Sequence, residues 1–145
     1  MSYETLEIVR AAGVATIWMN RPDVHNAFNA QLIADLTTAC IELDADQAVR
    51  AVVLAGRGRS FSAGADLNWM KSAAGYSSDE NLRDARGLAE MLRRLAQCPK
   101  PTIARVQGPA YGGGVGLVAC CDIAIATFDA QFSLTEVKLG IIPAV

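Results

Sequence analysis

Residues 102–126 read TIARVQGPAYGGGVGLVACCDIAIA, in which two β-prone runs flank a glycine-rich turn and an apolar segment. Thr102–Val106 is a short β-prone run, interrupted by Gly108, Pro109 and Gly112-Gly113-Gly114. Val115–Cys120 then reads as a small apolar helix and Ile123–Ala126 as a strand. A strand that passes through glycines into a helix leaves unpaired backbone N–H groups at the helix start, where the dipole adds roughly half a positive charge. The question is which anion they serve. A Walker loop needs GxxxxGK[ST], but Gly108–Gly113 is followed by Gly114 and Val115, so lysine and magnesium-binding hydroxyl are both missing. Gly114-Val115-Gly116-Leu117-Val118-Ala119 fits the dinucleotide pattern GxGxxA. Its acid, however, should end the very next strand, and Glu136 falls one segment later. No GxSxG exists for a nucleophile elbow, and the lone His25 would have to serve Ser60 or Ser62 from a loop. The remaining option is an oxyanion hole, two backbone N–H groups from different loops converging on one carbonyl oxygen. Two loops qualify: Ser60–Asp66 and Gly112–Gly114.

Outward from this stretch, strands and helices alternate. Leu6–Arg10 and Val14–Met19 form a strand pair around Ala11-Ala12-Gly13. Asn29 caps a helix whose apolar positions Leu32, Ile33, Leu36, Ala39, Cys40 and Leu43 follow the 3.6-residue period and leave Asp35, Glu42 and Asp46 outside. Val49–Leu54 is a continuous apolar run around Arg50, suited to a strand covered on both faces, and Gly56–Gly64 is a loop. Leu67–Lys71 forms a short helical turn and Ser72–Ser78 a flexible segment. Asp79–Ala96 is a helix presenting Leu82, Ala85, Leu88, Ala89, Leu92 and Leu95 on one face and Arg83, Arg86, Glu90 and Arg94, a solvated face, on the other. Cys98-Pro99-Lys100-Pro101 ends it. The order predicts an α/β layered fold with mainly parallel pairing, one domain over 1–145.

Composition narrows the function. Thirteen Lys plus Arg against fifteen Asp plus Glu give a net charge of -2 with no basic cluster, which excludes nucleic acid and anionic membrane as expected partners. A single histidine excludes sites that need two imidazoles. Cysteines at 40, 98, 120 and 121 contain no CxxC pair and suit a reduced, cytoplasmic setting, with Cys120 and Cys121 buried and unreactive. Met1–Arg10 is too polar for a signal peptide, and the longest apolar run, Val115–Cys121, is too short to span a membrane.

Ser60-Phe61-Ser62-Ala63-Gly64-Ala65-Asp66-Leu67 and Ile103–Gly114 together resemble the enoyl-CoA hydratase/isomerase (crotonase) family. Supporting stretches are Asn20-Arg21-Pro22, Asn26-Ala27-Phe28-Asn29, Cys121–Ala126, and Ala130-Gln131-Phe132 leading to Glu136 and Leu139-Gly140-Ile141-Ile142-Pro143. The resemblance covers essentially the whole chain. It implies a spiral of ββα units and an acyl-CoA substrate whose enolate is held by the N–H groups of Ala65 and Gly113. It also implies that CoA runs past Ala27, Ala63 and Ala65, with Asp66, Leu67 and Gly112 in the same binding segments. Coenzyme A belongs to the substrate, so no separate cofactor and no metal is expected. Of the family's two glutamates, Glu136 is present and Gly116 stands at the other position. One carboxylate still suffices for acid–base work on water or an allylic proton.

Gly114–Leu117, Thr135-Glu136-Val137 and Ile142-Pro143-Ala144-Val145 look like the branch that hydrates branched or carboxylated enoyl-CoAs, of the methylglutaconyl-CoA type. The family domain continues through further helices that close the site and build trimers or hexamers. The chain thus reads as the N-terminal part, and a core without those helices should expose an apolar face. Alternatives are an enoyl-CoA isomerase, an acyl-CoA-binding fragment without turnover and, from another class, a nicotinamide-dependent oxidoreductase. On residue chemistry alone Asp66 caps the turn at Leu67, His25 is a loop residue, and Trp69 and Met70 face either an acyl chain or the core.

Overall fold

Two strands with a tight turn begin the architecture, in a computed structural model that describes residues 3–143. Ala144 and Val145, which close the last resemblance motif, lie outside the described residues. β1 (Leu6–Ala11) and β2 (Val14–Met19) pair antiparallel. Ala12 and Gly13 both take positive φ, 51° and 82°, the handedness that matches hairpin twist. α1 spans Ala30–Ala45, and the Asn29 side chain accepts from Leu32 N–H at 3.0 Å as expected. β3 is Ala51–Gly56, two residues later than the apolar run suggests, because Val49 N–H donates to Asp46 O and extends the turn after α1. α2 (Leu67–Ala73) and α3 (Ser78–Ala96) follow, with Ser77 and Glu80 forming a reciprocal capping box at the start of α3. Thus Ser72 and Ser78 belong to helices, and the connection between them is shorter than the sequence suggests.

β4 (Thr102–Val106), the two-residue β5 (Ala110–Tyr111), α4 (Gly113–Ala119), β6 (Ile123–Ala126), the two-residue β7 (Phe132–Ser133) and a 3-10 turn over Thr135–Leu139 complete the chain. The main sheet has the order β1-β2-β3-β4-β6, parallel from β2 onward, and β5 pairs with β7 in a second small sheet. Single bridges join Phe28 to Ala65 and Ser62 to Ala110. Each turn of chain therefore contributes a main-sheet strand, a short extended piece in the second layer, and a helix. That is the α/β spiral of ββα units the resemblance implies.

Ala15, Ile17 and Met19 of β2, Val52 and Leu54 of β3, and Ala104 and Val106 of β4 alternate onto one buried face. They pack there with Leu32, Leu36 and Leu43 of α1. Two expectations need correcting. Asp35 is buried rather than outside: its Oδ2 accepts from Thr5 N–H at 2.9 Å and from Thr5 Oγ1 at 2.7 Å, tying α1 to the start of β1. The apolar face of α3 is also rotated from the expected one. Met91 and Leu95 are buried, whereas Leu82, Ala85 and Ala89 are exposed. The face is set by the crossing with α1, where Gly87 comes close to Ile33, and not by counting leucines. An apolar surface is indeed exposed toward the end of the chain, including Val137 at 75% and Ile142 at 83%. Among the described residues no helix is long and apolar enough to cross a membrane.

Candidate active site

Arg21 and Asn26 organise the first loop that reaches the site. Asn26 is fully buried at φ 53°; its Oδ1 accepts from Arg21 N–H at 2.9 Å and its Nδ2 donates to the carbonyls of Arg57 and Ser60. The Arg21 guanidinium donates to Ala27 O and pairs with Asp66 at 3.1 Å. Asp66 also accepts from Asn68 and Trp69 N–H, capping α2 as its residue chemistry suggests. Burial pushes the Asp66 carboxyl up, but the Asn68 N–H, Arg21 and Trp69 N–H hydrogen bonds outweigh it and hold the group below the usual carboxylate range. Arg21 and Asn26 are positioning residues that sequence reasoning quoted within motifs without giving them a role.

The loop after β3 is then stitched on both sides. Phe28 N–H donates to Gly64 O at 2.8 Å and Asp66 N–H to Phe28 O at 3.0 Å, so the intervening Ala65 N–H lies on the side away from Phe28. Tyr111 N–H donates to Ser62 O at 2.9 Å and Gly112 N–H to Ser133 O at 2.8 Å, which draws the glycine run against the same loop. Gly112 has φ 51°. A Cβ on Gly113 would sit 2.3 Å from Phe28 Cζ, and one on Gly114 2.4 Å from Ser62 O. The glycines are there because two backbones and an aromatic ring meet without room for side chains. α4 begins at Gly113, two residues before the sequence pattern suggests, and Gly113 N–H is one of its unpaired first-turn donors. Among the described residues neither Ala65 N–H nor Gly113 N–H has an acceptor.

Glu136 approaches from the 3-10 turn. Its Oε1 lies 3.3 Å from where a Cβ on Gly112 would be, and its Oε2 is buried with no hydrogen-bond partner. A buried oxygen left unpaired is costly, and it is the kind of group a reaction uses. A cavity of about 680 Å³ is lined by Glu136, Gly112 and Gly113 together with Ala27, Ala63, Ala65, Asp66 and Leu67. The structure thus brings together every residue that the resemblance places in the site. His25, Met70, Leu88, Lys71, Lys138 and Ile142 line it too. Of these, His25 Nδ1 is 3.0 Å from Ser60 Oγ. Trp69 is not in the cavity wall; its Nε1 donates to Asp84 at 3.2 Å while its ring packs on the core. Gly116 is buried in α4 and outside the wall. Burial pushes the Cys121 thiol up to about 12 and the Cys120 thiol upward, so both stay protonated at neutral pH.

Comparison with known proteins bears on family and fold. Residues 9–145 match the family model described as enoyl-CoA hydratase/isomerase. A Thermus thermophilus protein assigned as an enoyl-CoA hydratase is 40% identical over 136 residues, 94% of this chain and 54% of its own length. A Legionella pneumophila structure assigned as an enoyl-CoA hydratase/isomerase (crotonase) superimposes with a TM-score of 0.93 at 47% identity, covering 99% of this chain and 55% of that one. A Shewanella pealeana enoyl-CoA hydratase structure gives 0.93 at 43% identity, with 97% and 53% covered. The chain spans about half the length of the curated relatives it matches. A glycine-lined cavity with two free N–H groups and one glutamate, on a fold shared with these structures, places the chain in the enoyl-CoA hydratase/isomerase family.

Proposed function

We propose that this chain carries the thioester-activating part of an enoyl-CoA hydratase/isomerase. The observation that carries the reading is that the acceptor-free N–H groups of Ala65 and Gly113 belong to residues that share one cavity with Glu136. A conjugated enoyl thioester accepts water at Cβ as the Cα=Cβ electrons move onto the carbonyl oxygen. The two peptide N–H groups hold the enolate oxygen formed. Fixed dipoles in a dry site act most strongly on such developing charge, and each donor contributes about 10²- to 10³-fold in rate. Glu136 takes the proton that the attacking water loses and returns a proton to Cα, so the net change is one water added. The same carboxylate moving a proton from Cα to Cγ would give isomerisation instead.

The finer reading is a branched or carboxylated enoyl-CoA of the methylglutaconyl type, supported by Gly116 in place of a second glutamate. A homotrimer or paired trimers, in the cytoplasm, belong to the same proposal. Turnover of crotonyl-CoA compared with 3-methylglutaconyl-CoA tests it: faster hydration of the carboxylated substrate is expected, and faster crotonyl-CoA turnover overturns the branch reading. The exposed apolar side chains near the end of the chain favour a second reading, acyl-CoA binding without turnover. Saturable binding with no hydration or isomerisation would select it.

A further inference from the structure

β3 ends at Gly56 and α2 begins at Leu67, and the loop over 57–66 that carries Ala65 has no helix or strand of its own. Two amide side chains hold its first half. Gln107, the residue after β4, donates from Nε2 to Gly56 O at 2.7 Å, to Ser60 O at 2.9 Å and to Gly58 O at 3.1 Å. Asn26 Nδ2 reaches Arg57 O at 2.8 Å and the same Ser60 O at 2.9 Å. The carbonyls of Gly56, Arg57, Gly58 and Ser60 thus all turn inward onto donors. Three acceptors fix the orientation of the Gln107 amide, because turning it over would set an oxygen against three oxygens. Its Oε1 is left buried without a partner, and among the described residues the other such side-chain atom is Glu136 Oε2. A buried unpaired acceptor lowers stability, so what the amide supplies is the placement of the carbonyls it donates to.

The backbone of Gln107 leads to the other N–H group. A Cβ on Gly108 would lie 2.0 Å from Arg59 O, and Pro109 O accepts from Phe61 N–H at 3.0 Å and from Ser62 N–H at 3.3 Å. Further on, a Cβ on Gly64 would lie 2.9 Å from Gly113 N. The two segments therefore run side by side from Gln107 to the neighbours of Ala65 and Gly113. We propose that Gln107 is a positioning residue for the oxyanion pair, resting on the reading of Ala65 and Gly113 as its donors. Its side chain sets the Ala65 loop against its own backbone, from which the Gly113 loop departs. Gln107 does not line the cavity, so it acts on the reaction only through these loops. Oxyanion donors act at about 2.7–3.1 Å from the developing charge, and a misplacement of about 1 Å costs on the order of 10²-fold in rate. Ground-state binding draws on the whole wall of a cavity of about 680 Å³ and is less sensitive to that shift.

Gln107→Met keeps the length of the side chain and removes both of its N–H groups. Acetoacetyl-CoA absorbance reads how much enolate the site holds, and butyryl-CoA, which has no double bond to hydrate, reads binding alone by calorimetric titration. In the wild type, bound acetoacetyl-CoA should show more enolate than the free thioester. Gln107→Met should lower that enolate-to-keto ratio, and kcat with it, by at least about tenfold, while the Kd of butyryl-CoA stays within about threefold. Circular dichroism reports folding. If Gln107→Met fails to fold, Gln107→Asn, which carries the amide on a stem one carbon shorter, must show the same split. A wild-type enolate fraction in a folded variant overturns the proposal and leaves Ala65 and Gly113 as donors. A loss of butyryl-CoA binding as large as the loss of enolate also overturns it, being the mark of a general structural role. If the wild type binds acetoacetyl-CoA without extra enolate, the donor role of Ala65 and Gly113 fails, and the proposal with it.

Discussion

Gly113→Ala places a methyl group 2.3 Å from Phe28 Cζ, where ordinary contact begins at 3.4 Å. The ring must retreat by more than an ångström, yet Phe28 is buried and its backbone is bonded on both sides to the Gly64–Asp66 loop. Overpacking of this kind costs about 1–3 kcal/mol, which for a chain of this size lowers the melting temperature by roughly 3–10 °C. Any relief by movement of Phe28 pulls on Ala65, whose N–H is the other donor proposed, so activity should fall beyond what the lost stability explains. We expect a decrease of about 10²-fold or more in kcat, since one displaced oxyanion donor is enough for that. Phe28→Leu removes the obstructing ring. Combined with Gly113→Ala it should recover about 1–2 kcal/mol relative to the sum of the single changes, a coupling characteristic of contacting residues. Gly113→Pro deletes the N–H outright and should abolish turnover even with Phe28→Leu. Urea denaturation and hydration assays on these five variants decide the matter. If Gly113→Ala stays within about 0.5 kcal/mol of wild type with full activity, the close approach and the donor role both fail.

Glu136→Gln keeps the size of the side chain and removes its ability to take a proton. Turnover should drop by about 10²–10⁴ while acyl-CoA affinity changes little, measured by steady-state kinetics and calorimetric titration. Asp66 contributes stability as a carboxylate. Because its folded value lies below the ordinary one of about 3.9, that stability is present above this pH and is lost as pH falls through the folded value. Asp66→Asn should therefore be destabilised at pH 7 and approach the wild type below about pH 4, read from denaturation midpoints across that range. Asn29→Ala removes the cap of α1 and should cost about 1 kcal/mol, with no change in acyl-CoA binding.

How much of this was legible in the sequence depends on the range of the interactions involved. The hairpin at Ala12-Gly13, the Asn29 cap and the burial of Leu32, Leu36 and Leu43 are local, and period and cap chemistry were enough to find them. The site loops were found through the spacing of glycines and through the family resemblance, and all eight residues so chosen meet in one cavity. What escaped is set by tertiary partners. Asp35 reads as a surface acid until Thr5, thirty residues away, supplies two donors. Met91, not Ala85 or Ala89, is buried because α1 chooses the face of α3. β5 and β7 are two residues each, too short for any periodicity, and exist because Ser62, Ala110 and Phe132 align side by side. Arg21 and Asn26 sit beside Pro22 and Ala27 in stretches that read only as loop, and their role appears once Asp66 and Ser60 are in place.

Stabilisation of an enolate oxygen by the Ala65 and Gly113 N–H groups can be read with a ligand that becomes an enolate without turnover. Acetoacetyl-CoA bound to the protein should show a larger enolate absorbance than the free thioester at the same pH. Gly113→Pro, in the Phe28→Leu background, should bind it without that increase. Saturating binding to the wild type with the enolate fraction unchanged from free solution would mean that these N–H groups do not hold an enolate oxygen.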